Sequence, residues 1–200
     1  KSIIRSGERL VELFENEPFE FVLNHSGQDL MKASRFVHRT FNGEDLIFFI
    51  SSLKNMYSNG LGLEDAFSNG NGDKWSADVA IGRFRKSFLS VEHLRRSEKH
   101  LANPGRNSAA KRLNMFLRWM VRADESGVDF GIWKSIPASG LSCPLDVHSG
   151  RVARKLGLLT REQDDWKAVQ ELDEKLRIMD PNDPVKYDFA LFGLGVEGVF

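Results

Sequence analysis

Apolar residues recur at helical spacing along almost the entire chain, and this periodicity limits the possible folds more than any other feature. Leu10, Leu13 and Phe14 lie on one face of a predicted helix. A second stripe at the same spacing comprises Leu113, Phe116, Leu117 and Met120. No segment alternates apolar and polar residues as a half-buried strand does. We therefore predict an all-α fold.

Residues that start or break helices divide the first half of the chain. Pro18 suits the first turn of a helix, and Ser26 to Asp29 have the spacing of a capping box. Asn42 is predicted to open another helix, and Asp78 to Leu89 are predicted to be helical. The glycine and asparagine content of SNGNGDKW, residues 68–75, predicts a loop.

Similar signals divide the second half. Asn107 or Ser108 is expected to cap the helix that contains Lys111, and residues 127–136 are predicted to form a short helix. Residues 160–163, TREQ, have the spacing of a capping box for a helix that continues to Met179. Asp183 followed by Pro184 predicts the start of the last helix.

Length and composition restrict the class of protein. A chain of 200 residues that is 41% hydrophobic suits a single domain spanning residues 1–200. The single cysteine, Cys143, excludes an intrachain disulfide and a cysteine-rich metal centre. No apolar run approaches the roughly 20 residues of a membrane span, and the start lacks the features of a signal peptide. We expect a cytoplasmic protein that does not bind membranes. The first residue is Lys1 rather than Met, which predicts missing N-terminal residues.

The histidines suggest neither a metal nor a cofactor site. His25, His38, His93 and His100 show none of the spacings typical of metal ligands. We therefore predict no metal and no cofactor.

The charges are balanced overall but segregated along the chain. Residues 83–122 contain eleven lysines and arginines against two acids, whereas residues 161–188 contain nine acids against five bases. A basic segment of this kind favours binding to an anion. Two solvated helix faces would give the same counts.

A tight turn precedes the helix that begins near Lys111. Asn103-Pro-Gly-Arg has the composition of a turn, and the exposed N–H groups of a following helix, together with Arg106 and Arg112, suit a phosphate. The positive end of a helix disfavours a charged amine, so Lys111 is a candidate nucleophile. The alternative is that Lys111 is an ordinary solvated lysine.

Asp146 begins a second segment of interest, PLDVHSGRVARKLGLL, residues 144–159. An aspartate that precedes a helix usually serves only as its N-cap. A carboxylate held by helix N–H groups also stays ionised, which suits a group that stabilises a developing cation or relays a proton. The residues themselves allow both roles.

Residues 101–159 resemble the helix-hairpin-helix base-excision DNA glycosylases. In the segment PLDVHSGRVARKLGLL, Asp146 matches the family's essential aspartate, His148 its histidine, and Arg151 the arginine of its Arg-Val pair. Upstream, NPGRNSAAKRLNMFLRW takes the place of the hairpin and of the helix that bears the Schiff-base lysine, and Lys111 matches that lysine. The interval of 35 positions from Lys111 to Asp146 is similar to that of the archaeal members.

The whole chain is also similar to a bacterial family of unknown function that is related to the archaeal 8-oxoguanine DNA glycosylases. The segments KRLNMFLRWMVR and KYDFALFGLGV contribute to this second similarity.

The resemblance implies a helix-hairpin-helix glycosylase-like fold, with two helical lobes and a cleft, and a repair enzyme. Lys111 would attack the sugar C1′ of a damaged nucleotide, for which an oxidised purine is a candidate, and Asp146 would assist proton transfer and stabilise the cationic sugar. The resulting Schiff base would permit cleavage of the strand as an AP lyase. The residues expected to contact DNA are Gly105, Arg106, Asn107, Ser108, Arg112, His148 and Arg151.

Double-stranded DNA with a damaged base is thus the expected partner of a monomeric protein that needs no other protein. Two alternatives remain at this point. The chain could be a DNA-binding module without catalytic activity on the same scaffold, or a helical protein-interaction domain that uses its acidic segment, residues 161–188.

Overall fold

The computed structural model describes residues 2–68, 74–124 and 127–198 and confirms the all-α fold class. Within these residues the chain forms ten α-helices and one two-stranded antiparallel sheet. None of the described helices is both long and apolar enough to span a membrane. Most of the predicted loop at residues 68–75, namely residues 69–73, lies outside the described residues.

Contacts between residues divide the chain into two compact units. Unit 1 comprises Lys1–Gly62 and Lys86–His100, and unit 2 comprises Leu63–Arg85 and Leu101–Phe200. A single domain with a cleft between two lobes stays a prediction.

The first half contains six α-helices in the described residues, and four of them begin within one residue of a start predicted at Pro18, Ser26, Asn42 or Asp78. The six are α1 (Ser2–Leu13), α2 (Pro18–Asn24), α3 (Gly27–Ala33), α4 (Gly43–Ser58), α5 (Leu63–Phe67) and α6 (Ala77–Phe88). Strands β1 (Val37–His38) and β2 (Phe41–Asn42) pair before α4, and a 3-10 helix covers Arg95–His100. The predicted capping box at Ser26 and the cap at Asn42 are both present.

The core of unit 1 is aromatic and aliphatic, and a buried carboxylate lies at one end of α4. Phe21, Phe36 and Ile50 are among its buried members. Asp45 completes the capping box of α4 and accepts a hydrogen bond of 2.6 Å from the Ser97 hydroxyl. The same carboxylate therefore caps the start of α4 and connects it to the 3-10 helix at Arg95–His100.

Unit 2 contains the second half of the chain. Its later helices are α7 (Lys111–Val121), α8 (Val147–Lys155), α9 (Trp166–Met179) and α10 (Asp188–Glu197), with 3-10 helices at Pro104–Arg106, Ala138–Gly140 and Pro184–Tyr187. Helices α8 and α10 pack closely because Gly195 has no side chain: a Cβ there would lie 2.7 Å from the His148 carbonyl oxygen. This close approach places α10 beside the start of α8.

A buried ionic network joins α7 to the start of α10. Arg118 donates hydrogen bonds to Asp188 at 2.6 Å and to Asp129 at 3.2 Å. Arg122 binds Asp129 and donates to Asp183 at 2.9 Å. Since breaking a buried ion pair leaves an uncompensated charge, this network fixes α10 relative to α7.

The predicted helix at residues 127–136 is wrong. Gly127 and Gly131 adopt left-handed backbone angles, and the segment is not helical. The backbone N–H groups of Phe130 and Trp133 instead donate to the carbonyls of Trp119 and Met120 at the end of α7, at 2.7 and 2.8 Å. The segment therefore satisfies the last carbonyls of α7 rather than forming its own helix.

Two predicted caps are also wrong. Ala110, with a left-handed φ of 48°, precedes α7 without a side-chain cap, while Asn107 ends the preceding 3-10 helix. Helix α9 starts at Trp166, because Asp165 accepts a hydrogen bond of 3.1 Å from the Ala168 N–H. The hydroxyl and N–H of Thr160 donate to Glu171 instead.

The start predicted for the last helix needs a smaller correction. Asp183 and Pro184 open a 3-10 turn, and α10 begins four residues later, at Asp188. Asp183 makes no side-chain cap because its carboxylate binds Arg122.

Replacing Gly43 tests the packing of unit 1. A Cβ at this position would overlap the backbone carbonyl of Ser34, so Gly43→Ala should lower the free energy of unfolding by about 1–3 kcal/mol. Gly27→Ala is the matched control, because open space surrounds Gly27 at the start of α3; we expect a change of at most about 1 kcal/mol. Urea denaturation measures both, and equal effects would contradict the packing described.

Candidate active site

Lys111 and Asp146 meet in unit 2 although they are 35 positions apart in the chain. Lys111 is the first residue of α7, Asp146 is the N-cap of α8, and the Lys111 Nζ donates a hydrogen bond to Asp146 Oδ2. The Lys111 side chain is 36% exposed and that of Asp146 15%. The amine and the carboxylate are therefore in direct contact, and the lysine side chain is partly exposed.

The two oxygens of the Asp146 carboxylate have different partners. Oδ1 accepts hydrogen bonds from the N–H groups of His148 and Ser149, at 2.9 and 3.0 Å. The Asp146 N–H in turn donates to the Ser149 hydroxyl at 3.0 Å, which completes a capping box. Oδ2 receives Lys111. The cap thus fixes the orientation of the carboxylate while its second oxygen faces the amine.

Opposing effects act on the pKa of Asp146. Partial burial raises it, but the hydrogen bond from Lys111 and those from the Ser149 and His148 N–H groups outweigh this, and the net pKa is lowered. Asp146 is therefore ionised at neutral pH.

Phe192 of α10 forms an aromatic wall beside the amine. Its ring centroid lies 5.5 Å from the Lys111 Nζ and 5.9 Å from the centroid of the His148 ring. The side chain is 41% exposed. The site thus combines an amine, a carboxylate and an accessible ring face.

The sequence analysis did not single out Phe192. The segment that contains it, KYDFALFGLGV, contributed only to the similarity of the whole chain to a bacterial family. The available signal was the composition of α10, which is apolar on nearly all sides and would ordinarily be buried, yet exposes Phe189, Phe192 and Val196.

Arg151 and His148 lie near the same helix contact. The Arg151 guanidinium donates a hydrogen bond of 2.5 Å to the Gly195 carbonyl of α10. Arg151 as a whole is exposed. His148 is half-buried. Both residues belong to the surroundings of Lys111 through their contacts with α10.

The residues of the predicted phosphate-binding turn divide into two groups. Gly105, Arg106 and Arg112 are exposed around the start of α7. The side-chain amide of Asn107 donates to Asp165 at 2.7 Å, and Ser108 pairs with Asp165 in an isolated bridge. Asn107 and Ser108 thus connect the turn to the start of α9.

Several arginines of the basic segment are engaged with acidic side chains within their own unit. Arg118 and Arg122 are buried in the ionic network with aspartates, and Arg96 of unit 1 pairs with Glu44 and Asp45. Arg106 and Arg112 remain exposed in unit 2. Counting charges along the sequence could not separate arginines that neutralise buried aspartates from those that face solvent.

Trp133 and the single cysteine belong to the interior of unit 2, whereas Phe130 does not. Trp133 is 6% exposed and packs against Phe67 and Phe116, with ring centroids 5.7 and 5.4 Å away. Phe130 is exposed, and Cys143 is a buried free thiol.

Comparisons with known proteins identify a family. Residues 1–197 match the family described as "Protein of unknown function (DUF2400)", and the chain belongs to it. Neither a curated protein nor a solved structure matches the chain.

Replacing Asp146 by Asn tests the charge at the cap. Asn retains the capping function, so the change removes mainly the interaction with Lys111, and we expect a loss of about 1 kcal/mol of stability at neutral pH. The folded pKa of Asp146 lies below its ordinary value of 3.8, so its contribution is complete above that value and disappears as the pH falls through the folded pKa.

Urea unfolding over a pH series measures this difference between wild type and Asp146→Asn. Asp65→Asn, at an exposed position of α5, is the control and should differ little from wild type at any pH. A difference for Asp146→Asn that grows as the pH falls would contradict the assignment.

Proposed function

We propose that this member of the DUF2400 family is a base-excision repair DNA glycosylase that also cleaves the strand as an AP lyase. The observation that carries the proposal is the contact between Lys111 and Asp146 at the adjoining ends of α7 and α8. A reactive amine needs a carboxylate that can receive its proton or stabilise the charge it creates. The resemblance of residues 101–159 to helix-hairpin-helix glycosylases supports the same reaction.

The start of α7 suits a DNA phosphate. The first N–H groups of a helix have no partner within the helix, and Ala110 provides no side-chain cap for them. Arg106 and Arg112 are exposed on either side. A phosphate held here would place its neighbouring sugar near Lys111 without any reading of base sequence.

A damaged nucleotide must leave the duplex before its C1′ can reach the amine. Rotating it out costs about a few kcal/mol, and the cost is lowest for a base that pairs poorly. The exposed ring of Phe192 offers a face against which a displaced base or sugar can pack. A damaged base, with an oxidised purine as the class that the resemblance implies, is thus the proposed substrate.

The first step exchanges one bond at C1′ for another. Asp146 Oδ2 accepts a proton from the Lys111 ammonium, and the neutral amine attacks C1′. The bond between Nζ and C1′ forms as the glycosidic bond breaks. The base leaves with the bonding electrons and takes up the proton that Asp146 had accepted, so that Asp146 is ionised again and stabilises the positive charge on Nζ and the sugar.

The second step cleaves the strand. Opening of the sugar ring breaks the bond between C1′ and O4′, moves a proton from Nζ to O4′ and leaves a Schiff base between C1′ and Nζ. Loss of a proton from C2′ to solvent then forms a double bond between C2′ and C3′ and expels the 3′ phosphate, which leaves with the electrons of its bond to C3′. Addition of water to the Schiff base releases the sugar fragment and restores Lys111.

Lys111→Gln tests the nucleophile. Gln cannot form a Schiff base, so the variant should give no covalent product when lesion-bearing duplexes are treated with borohydride, whereas wild type should be trapped on at least one lesion. Lys167→Gln is the control, because its side chain is exposed on α9. Trapping of Lys111→Gln would overturn the role of this lysine.

Covalent trapping, together with DNA binding measured at several salt concentrations, separates the proposed function from the two alternatives. A chain that binds DNA with a steep salt dependence but is trapped on none of a broad panel of lesions would be a non-catalytic DNA-binding module. A chain that shows no binding to DNA would favour the helical interaction domain.

A further inference from the structure

Unit 1 contains a basic pocket that the proposed reaction does not use. Its volume is about 320 Å³, and it is lined by Arg9, Glu12, Leu13, Lys32, Arg35 and Phe36. Phe36 is 5% exposed and belongs to the hydrophobic core of unit 1, against which Leu13 also packs. The base of the pocket is therefore part of the packed core.

Two contacts hold α1 against the segment that contains Phe36 and β1. Helix α1 is tied to β1 by a hydrogen bond of 2.8 Å between the Ser6 hydroxyl and His38 Nδ1. The Arg9 guanidinium lies over the Phe36 ring, 5.3 Å from its centroid. A guanidinium stacked in this way keeps the N–H donors at its edge available.

The two arginines that line the pocket, Arg9 and Arg35, have no carboxylate partner among the residues that the structure describes. Within residues 2–68, 74–124 and 127–198, neither forms an ion pair. The arginines that do form one in the described residues include Arg96, Arg118, Arg122, Arg154, Arg161 and Arg177. Lys32, by contrast, is paired with Asp29 at 3.0 Å.

The charge and shape of this pocket suit a phosphodiester. Arg9 and Arg35 outnumber the single lining acid, Glu12, whereas the charge of Lys32 is offset by Asp29. The pocket therefore has an excess of positive charge beside its two apolar side chains. Guanidinium groups bind phosphate oxygens through paired hydrogen bonds. A phosphodiester carries one negative charge between two sugars. The charge can therefore bind the arginines while the carbon atoms of a sugar contact the apolar side chains.

We propose that Arg9 and Arg35 bind a backbone phosphate of a DNA strand. The identity of the strand rests on the proposed function, whereas the pocket and its two unpaired arginines are observed independently in unit 1. This contact carries no sequence information and contributes affinity.

Salt-dependent binding of an undamaged duplex tests the proposal. Fluorescence anisotropy of the full chain should show that Arg9→Gln with Arg35→Gln reduces the slope of log affinity against log salt concentration by roughly 1, because one phosphate contact contributes about 0.9. Arg35→Gln alone should reduce it by about half as much, and it leaves the stacking of Arg9 on Phe36 intact. Thermal unfolding checks that each variant is folded.

Arg5→Gln is the matched control, because Arg5 is exposed on α1 one turn before Arg9 and does not line the pocket. An unchanged slope for the double variant, or an equal change for Arg5→Gln, would overturn the proposal. The outcome is independent of the chemistry at Lys111. A slope that depends on both arginines without covalent trapping would retain this pocket and refute the glycosylase, and trapping without an effect of the arginines would do the reverse.

Discussion

The hydrogen bond between Lys111 and Asp146 is possible because the two oxygens of the Asp146 carboxylate bind different partners. Asp146 starts α8 with one oxygen and reaches the first residue of α7 with the other. An N-cap needs only one acceptor oxygen, so the structural role leaves the second oxygen available. The backbone N–H groups fix the direction of the carboxylate without any further side chain. The residue that starts α8 is therefore also the one to which we assign a role in the proposed reaction.

The rest of unit 2 places an aromatic ring beside that contact. The absence of a side chain at Gly195 lets α10 approach the carbonyl of His148, and this approach brings Phe192 to within 5.5 Å of the amine. At the other end of α10, burial raises the pKa of Asp188 although the neighbouring Arg118 opposes this effect. Asp188 is nevertheless satisfied by a hydrogen bond of 2.6 Å from that arginine. The position of Phe192 is thus set at both ends of its helix.

The sequence predicted those parts of the fold that depend on local chemistry. Apolar periodicity gave the helical class, and the capping boxes at Ser26 and Asn42 placed two helix starts, because a side chain and an N–H three residues later decide such a start. The cap at Thr160 was wrong because Glu171, eleven residues away, takes its hydroxyl. The helix predicted at residues 127–136 failed for a similar reason, since its N–H groups bind carbonyls of α7.

The same division applies to the site. Sequence patterns and the resemblance indicated Lys111 and Asp146 as candidates. Their contact, between residues 35 positions apart, is visible only in the three-dimensional structure. Phe192 was missed because its role depends on the packing of α10 against α8. Arg118 and Arg122 were grouped with exposed basic residues because their buried aspartate partners are distant in the chain.

The most direct measurement is the position of the covalent link to DNA. Wild-type protein would be incubated with duplex DNA that contains an abasic site, reduced with borohydride and digested, and the modified peptide would be located by mass spectrometry. The amine beside Asp146 predicts a sugar fragment attached to Lys111. Attachment at another lysine, or no attachment under conditions in which the protein binds the duplex, would contradict the assignment of this pair as the reactive centre.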